Sequence, residues 1–283
     1  MMDKKGSKLS VALGITFVWF TTQFGGGFAS GAQLKSYFIR YGVYCLFTCI
    51  GAQAICAVYN AYIAYFARKH GTYDYRSFNK AFYGKYSKIF STLFEIVYIF
   101  VLLVVPAVAF STGGSTLNTL TGVPYMLCTA IIGVFIFVVA IFGTAIVRKV
   151  ATLLSILIVA GLLVVFIPNI IVQWDSVTAG IASLSAVDMP IGPALWSMLV
   201  YAAFQIASSP AIHSQHSEAL QEPKDSVMTY VIGFFVNSVI NIISPIGLMA
   251  IVTTEDYANT LKPVLVLANK GVRGKIFQTH LSI

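Results

Sequence analysis

Few residues in this chain can do chemistry, and their scarcity narrows the field. Glu95 is the one acidic residue inside an apolar span. A carboxyl group at membrane depth is a functional candidate by default, here as a proton carrier. It also lies about two turns from the end of its span, so snorkelling or pairing with a basic loop residue is the stronger expectation. His213 and His216 stand at i, i+3, a spacing that suits a metal, but no further ligands accompany them. Two exposed histidines at a membrane boundary are expected, and no metal. Because no nucleophile–base set, metal cluster or phosphate loop occurs, no enzyme is expected either.

What remains is neutral and gathers around two interruptions. The first is "FGGGFASG", Phe24 to Gly31, in the middle of an apolar run. A glycine inside a helix costs about 1 kcal/mol relative to alanine. Gly27 and Gly31 form a GxxxG pair that lets helices approach closely, yet packing does not require Gly25 and Gly26. Three glycines invite unwinding, and hydrocarbon tolerates unwound backbone only where it faces protein or a wet cavity. The second is "ALWSMLVYAAFQIASSPAIHSQH", where Pro210 has no N–H for the carbonyl of Ile206. Ser208 and Ser209 offer hydroxyls to the freed backbone or to a ligand. Alone, this second break is a serine-patched kink of a common kind.

If the two breaks form a site, a half-helix beginning near Phe28 turns N–H groups and a positive dipole end toward a carboxylate. Gly25, Gly26 and Gly27 let the backbone approach the ligand. Gln23, Ser30, Gln205, Ser208 and Ser209 are the polar side chains placed to orient it. Phe24, Tyr201 and Phe204 are the candidate aromatic gates. For each of these residues taken singly, interhelical packing is the plainer role.

The elements that must position them are membrane helices. Of 283 residues, 58% are hydrophobic and 10% charged, against about 25% charged in a soluble domain. A crossing helix needs ~20 apolar residues. Hydropathy predicts seven spans: Leu9–Tyr41, Val43–Ala67, Ile89–Ser111, Pro124–Gly143, Val150–Val172, Pro193–His213 and Val227–Val252. The first is too long for one plain crossing, as a broken helix would be. Bases cluster at the N-terminus (Lys4, Lys5, Lys8), after the second span (Arg68, Lys69, Arg76, Lys80, Lys85, Lys88) and after the fourth (Arg148, Lys149). The stretches 112–123 and 173–192 have none. The alternation puts the N-terminus in the cytoplasm, with Lys35 and Arg40 as exceptions on the outer side. The basic start, apolar run and "FASGA" imitate a secretory signal peptide, but the run is long and the glycines are out of place, so no cleavage is expected.

Each break falls near mid-span, and the breaks lie five spans apart. An odd number makes a second copy enter the membrane from the opposite side, and paired broken helices in inverted repeats point to a secondary transporter's site. The expected repeats are residues 9–172 and a partial 193–283, within one transmembrane domain.

Other features carry less. Cys45, Cys49, Cys56 and Cys128 fall in apolar runs without a CxxC pair and are expected as small buried residues. Asn237 and Asn241 share a helix face, either bonding between helices or lining the cavity; Pro106 is expected to kink its span. The loop "RKHGTYDYRSFNKAFYGKYSK" mixes bases with aromatics. It is expected to lie on an anionic leaflet, and no motif supports nucleic-acid binding.

Taken together, "GGGFASGAQLKSYFIRYG", "YDYRSFNKAFYG" and "PVLVLANK" resemble the bacterial YkvI-like membrane proteins of the amino acid–polyamine–organocation superfamily. The resemblance implies an all-α, LeuT-type bundle of two inverted five-span repeats, with a solute bound between spans one and six. It implies a multi-pass protein of the bacterial inner membrane. The ligand would be a small organic solute, an amino acid or relative, moved by alternating access with sodium or proton coupling and no other cofactor. Sensing without net transport is the alternative, since spore-germinant receptor subunits share the superfamily. Such folds have ten or more spans, whereas this chain stops at the threshold of an eighth, so a truncated second repeat is expected. "PVLVLANK" then belongs to the outer hairpin before that span. Neither oligomeric state nor substrate follows from the residues.

Overall fold

The structure, a computed structural model, describes residues 7–141, 144–186 and 189–271. Lys4, Lys5 and the tail 272–283 lie outside them, as do the side chains of Arg148 and Lys149. Among the described residues every regular element is a helix. In order they are α1 (Lys8–Gln23), α2 (Gly26–Ala29), α3 (Ala32–Tyr37), α4 (Cys45–His70) and α5 (Tyr75–Tyr83). There follow α6 (Ser87–Thr121), α7 (Tyr125–Ile141), α8 (Thr144–Val172), α9 (Trp174–Ser185) and α10 (Ile191–Ile206). The series ends with α11 (Ser209–His216), α12 (Asp225–Met249), α13 (Glu255–Asn259) and α14 (Pro263–Lys270), and short 3₁₀ turns link several of them.

Several of these helices suit a bilayer. Among the described residues, four helical stretches are long and apolar enough to cross one: Ile39–His70, Tyr75–Thr121, Leu153–Val172 and Asp225–Met249. A fifth is the pair Ile191–Ile206 and Ser209–Ala219, bent by 53° at its break. Of the seven expected spans, α1 has only 16 residues before its interruption and α7 only 17. A multi-pass membrane protein is what these helices build.

The chain forms two compact units, each drawn from three separate stretches. The first comprises Met1–Gln23, Gln53–Thr152 and Ala202–Asn237; the second Phe24–Ala52, Leu153–Tyr201 and Ser238–Ile283.

In the first unit, Trp19 packs on Tyr230 with ring centroids 5.6 Å apart, and Thr16 donates to the carbonyl of Thr229. The long hairpin of α6 and α7 turns at Gly122, whose positive φ of 71° and N–H to Asn118 end α6, while the Asn118 side chain donates to the Val123 carbonyl. A Cβ on Gly114 would stand 3.1 Å from Thr129 Cα, so small residues let the two helices meet.

The aromatic loop after α4 is a helix, not a surface coil. Asp74 caps α5 by accepting from the N–H groups of Arg76 and Ser77. Its Phe78 is buried with Ile63 and Ala67, and Phe66 and Phe82 pack around them. Apolar residues at 78 and 82 form one helical face that packs against α4 and leaves Arg76 and Lys80 exposed.

In the second unit, Gly247 admits the ring of Phe166 to within 2.4 Å of where its own Cβ would be. A Cβ on Gly180 would likewise stand 2.3 Å from the carbonyl oxygen of Met249. Lys35 donates to the carbonyls of Tyr257, Ala258 and Thr260 at 2.6, 2.9 and 2.9 Å, closing the C-terminal end of α13. All four cysteines are buried and unbridged.

Candidate functional site

The first interruption is real, but its anatomy differs from the expected one. Helix α1 ends at Gln23, and after two residues α2 begins at Gly26 rather than near Phe28. That helix has four residues and stops at Ser30 and Gly31, before α3. The positive dipole end expected of a long half-helix is correspondingly small, because the dipole sums over aligned peptides. Gly25 is extended at φ −70° and ψ −171°, angles open to any residue. The glycine that must be a glycine is Gly31, with φ +84° and Pro263 Cγ 2.7 Å from where a Cβ would sit. Gly25, by contrast, has nothing within 4 Å of its own Cβ position.

The second interruption falls at Ala207 and Ser208, with Pro210 in the first turn of α11. A proline there withholds the N–H owed to Ile206 but sits comfortably at a helix start. The hydroxyl of Ser208 does not cap α11.

Within the first unit the ends of both breaks meet. Gln205 Nε2 donates to the Gln23 carbonyl at 3.3 Å, a carbonyl that the end of α1 leaves without an intrahelical partner. The Gln23 side chain pairs with that of Gln53 on α4 through both amides. Ser209 Oγ donates to Asn60 Oδ1 at 2.6 Å. Cys56 Sγ lies 3.9 Å from the Ala202 carbonyl. Gln53, Cys56 and Asn60 therefore form one face of α4 at i, i+3 and i+7, turned to α1, α10 and α11. Gln23, Gln53, Asn60 and Ser209 are all 2% exposed or less. The seam is uncharged, buried and hydrogen-bonded. A cavity of about 240 Å³ abuts the unwound turn, lined by Ile206, Ala207 and Pro210 together with Tyr59, Tyr83 and Phe94.

The remaining expected site residues divide. In the second unit Phe24 and Phe28 are buried edge to face, 4.4 Å between centroids. Tyr201 is buried against Tyr37 and Phe38, at 5.4 and 4.7 Å. Ser30 Oγ donates back to the Gly27 carbonyl, while its own carbonyl accepts from the N–H of Val264 in α14. The stretch "PVLVLANK" thus starts a helix on the kink at Gly31.

Phe204 is 37% exposed, which takes it out of the buried seam. Glu95 is half-exposed and ion-paired to Arg76 of α5 at 3.4 Å, the loop-base partnership rather than a place in the seam. His213 is not exposed. It is buried with Nδ1 2.7 Å from the Tyr230 hydroxyl, because α11 turns it inward beside the first unit's aromatic core. Among the described residues no group of three metal-ligating side chains assembles.

Gln53 and Asn60 were not expected. Their signal was two amides seven residues apart in an alanine-rich span, which is two turns of one face. No family model, curated protein or solved structure matches the chain.

Proposed function

We propose that the protein is a secondary transporter-like membrane protein that binds a small, amphipathic organic solute, an amino acid or relative, where the first and sixth helices break. The observation that carries this is the bond from Gln205 to the Gln23 carbonyl. It draws together two interruptions that sequence separates by five spans. Broken helices near mid-membrane, paired across inverted repeats, are where transporters of this architecture hold substrate. The neutral amides and hydroxyls of Gln23, Gln53, Asn60 and Ser209 suit a polar, net-uncharged group, and the aromatic cavity at Ala207 suits a small apolar side chain. On this reading the fold is a LeuT-type inverted repeat, the movement is alternating access, and sodium or protons drive it.

The test is uptake by proteoliposomes loaded with a panel of labelled amino acids, in parallel with ligand-induced thermal shifts. One solute should accumulate against its gradient and raise the melting temperature. Gln205→Leu and Ala207→Leu should each weaken both effects by at least tenfold. Equal ligand stabilisation in wild type and both variants would remove the site. Stabilisation without accumulation would favour the sensing alternative, in which the same pocket reports a nutrient instead of moving it.

A further inference from the structure

A second concavity in the first unit has no part in that reading. It is a groove of about 490 Å³ between α4 and α12, lined by Ala57, Ala61 and Tyr65 on one side and Val227, Tyr230 and Phe234 on the other. The volume is that of a ligand site, roughly 300–1,000 Å³. Its walls carry almost no polar atoms, and the reason is visible. Alanines open the trough on α4, and Tyr230 turns its hydroxyl away to His213, leaving only its ring to the groove. Polar solutes would lose their hydration here and gain no partner. Hydrocarbon fits.

One end of the trough is different. Lys69 is exposed and holds its ammonium 5.8 Å from the ring centroid of Tyr65, at the groove's mouth. Arg68 donates to the carbonyls of Glu218 and Gln221, which sets this end of α4 beside the connection entering α12. On that connection Lys224 is exposed, and its carbonyl accepts from the N–H of groove-lining Val227. Of the nearby carboxylates, Glu222 and Asp225 are both held by Lys8. Neither Lys69 nor Lys224 has an ion pair among the described residues.

We infer that this groove holds one acyl chain of an anionic phospholipid, with the phosphate between Lys69 and Lys224. The match is in both halves of the ligand: hydrocarbon against a wall without polar groups, and a negative headgroup against two lysines at one end. The tyrosines, Tyr62 and Tyr65, place the mouth where aromatic side chains favour the membrane interface. A second copy of the chain is the competing occupant, because Ala57 and Ala61 make a small-residue helix face. Two copies related by an axis along the membrane normal would bring Lys69 to Lys69 and Lys224 to Lys224, whereas a phosphate neutralises both.

Native mass spectrometry of the full chain in neutral detergent decides it, with phosphatidylglycerol and phosphatidylcholine of matched acyl chains as probes. One lipid per chain should be retained, with phosphatidylglycerol preferred at least fivefold. Lys69→Gln with Lys224→Gln, both at exposed positions, should bring that preference close to parity while a lipid still binds. Ala57→Phe with Ala61→Phe, checked for an unchanged circular-dichroism melt, should lower occupancy by both lipids at least fivefold. Parity in the wild type, or a preference that survives the lysine substitutions, overturns the proposal. So does a dimer that the lysine variant strengthens. Should the phenylalanine variant fail to fold, the lysine variant alone still decides. None of these outcomes depends on whether a solute binds at the helix breaks.

Discussion

At Phe24–Gly25 the chain leaves its helix at an exposed glycine, while at Ala207–Ser208 it leaves beside a small cavity, ahead of a buried proline. The first break is permitted, because nothing crowds Gly25 and its angles suit any residue. The second is imposed, since Pro210 has no N–H to continue the ladder, and Ser209 is tied to Asn60. Within the first interruption, the two helix ends differ in how their open carbonyls find partners. Gln23 takes a side-chain amide from Gln205, and Ser30 takes a backbone N–H from Val264. A glycine run therefore marks a region of freedom, and the constraint lies downstream at Gly31.

Substitutions can break that distinction. The largest effect should come from Gly31→Val. A left-handed conformation costs a branched residue about 1–2 kcal/mol, and displacing Pro263 and the Val264 backbone adds about as much. A fall of about 3 kcal/mol, or failure to fold, is expected in detergent melting. Retained stability would move the constraint elsewhere.

Next comes Gln53→Leu, which leaves the buried amide of Gln23 without its side-chain partner and should cost about 2 kcal/mol. Removing the α5 cap with Asp74→Ala should cost about 1 kcal/mol and serves as a reference that leaves the residues of both breaks unchanged. Hydrogen bonds from the Ser77 hydroxyl and the neighbouring backbone hold the Asp74 carboxyl below its usual range. Its contribution is thus complete above the unfolded value near 3.9 and fades as pH falls through the lower folded value. The wild-type advantage over the alanine variant should vanish in acid melts and be full at pH 7. Smallest of all is Gly25→Ala, expected within about 0.5 kcal/mol because its Cβ meets nothing. A large loss there would erase the contrast between a permitted and an imposed break.

Much of this was legible in the residue string. Long apolar runs became long helices because hydrocarbon-length stretches have no other way to satisfy their backbone, and both interruptions fell where glycine and proline stand. The connections were less legible. The α5 face built on Phe78 and Phe82 was obscured by the bases between them, and α9 occupies a stretch expected as a loop. The glycine that matters was hidden for a physical reason: composition shows where φ can turn positive, and only tertiary crowding shows where it does. The polar seam was half visible. Gln23, Gln205 and Ser209 sit next to the breaks, but Gln53 and Asn60 gain meaning only when α4 is laid against them.

Lys35 reaches three peptide oxygens at the end of α13. The ammonium keeps its full charge, but its three donors exchange water for peptide oxygens, so Lys35 works as a clasp that fastens the C-terminal end of α13 to α3. Arg40, by contrast, is exposed and rests over the Tyr41 ring.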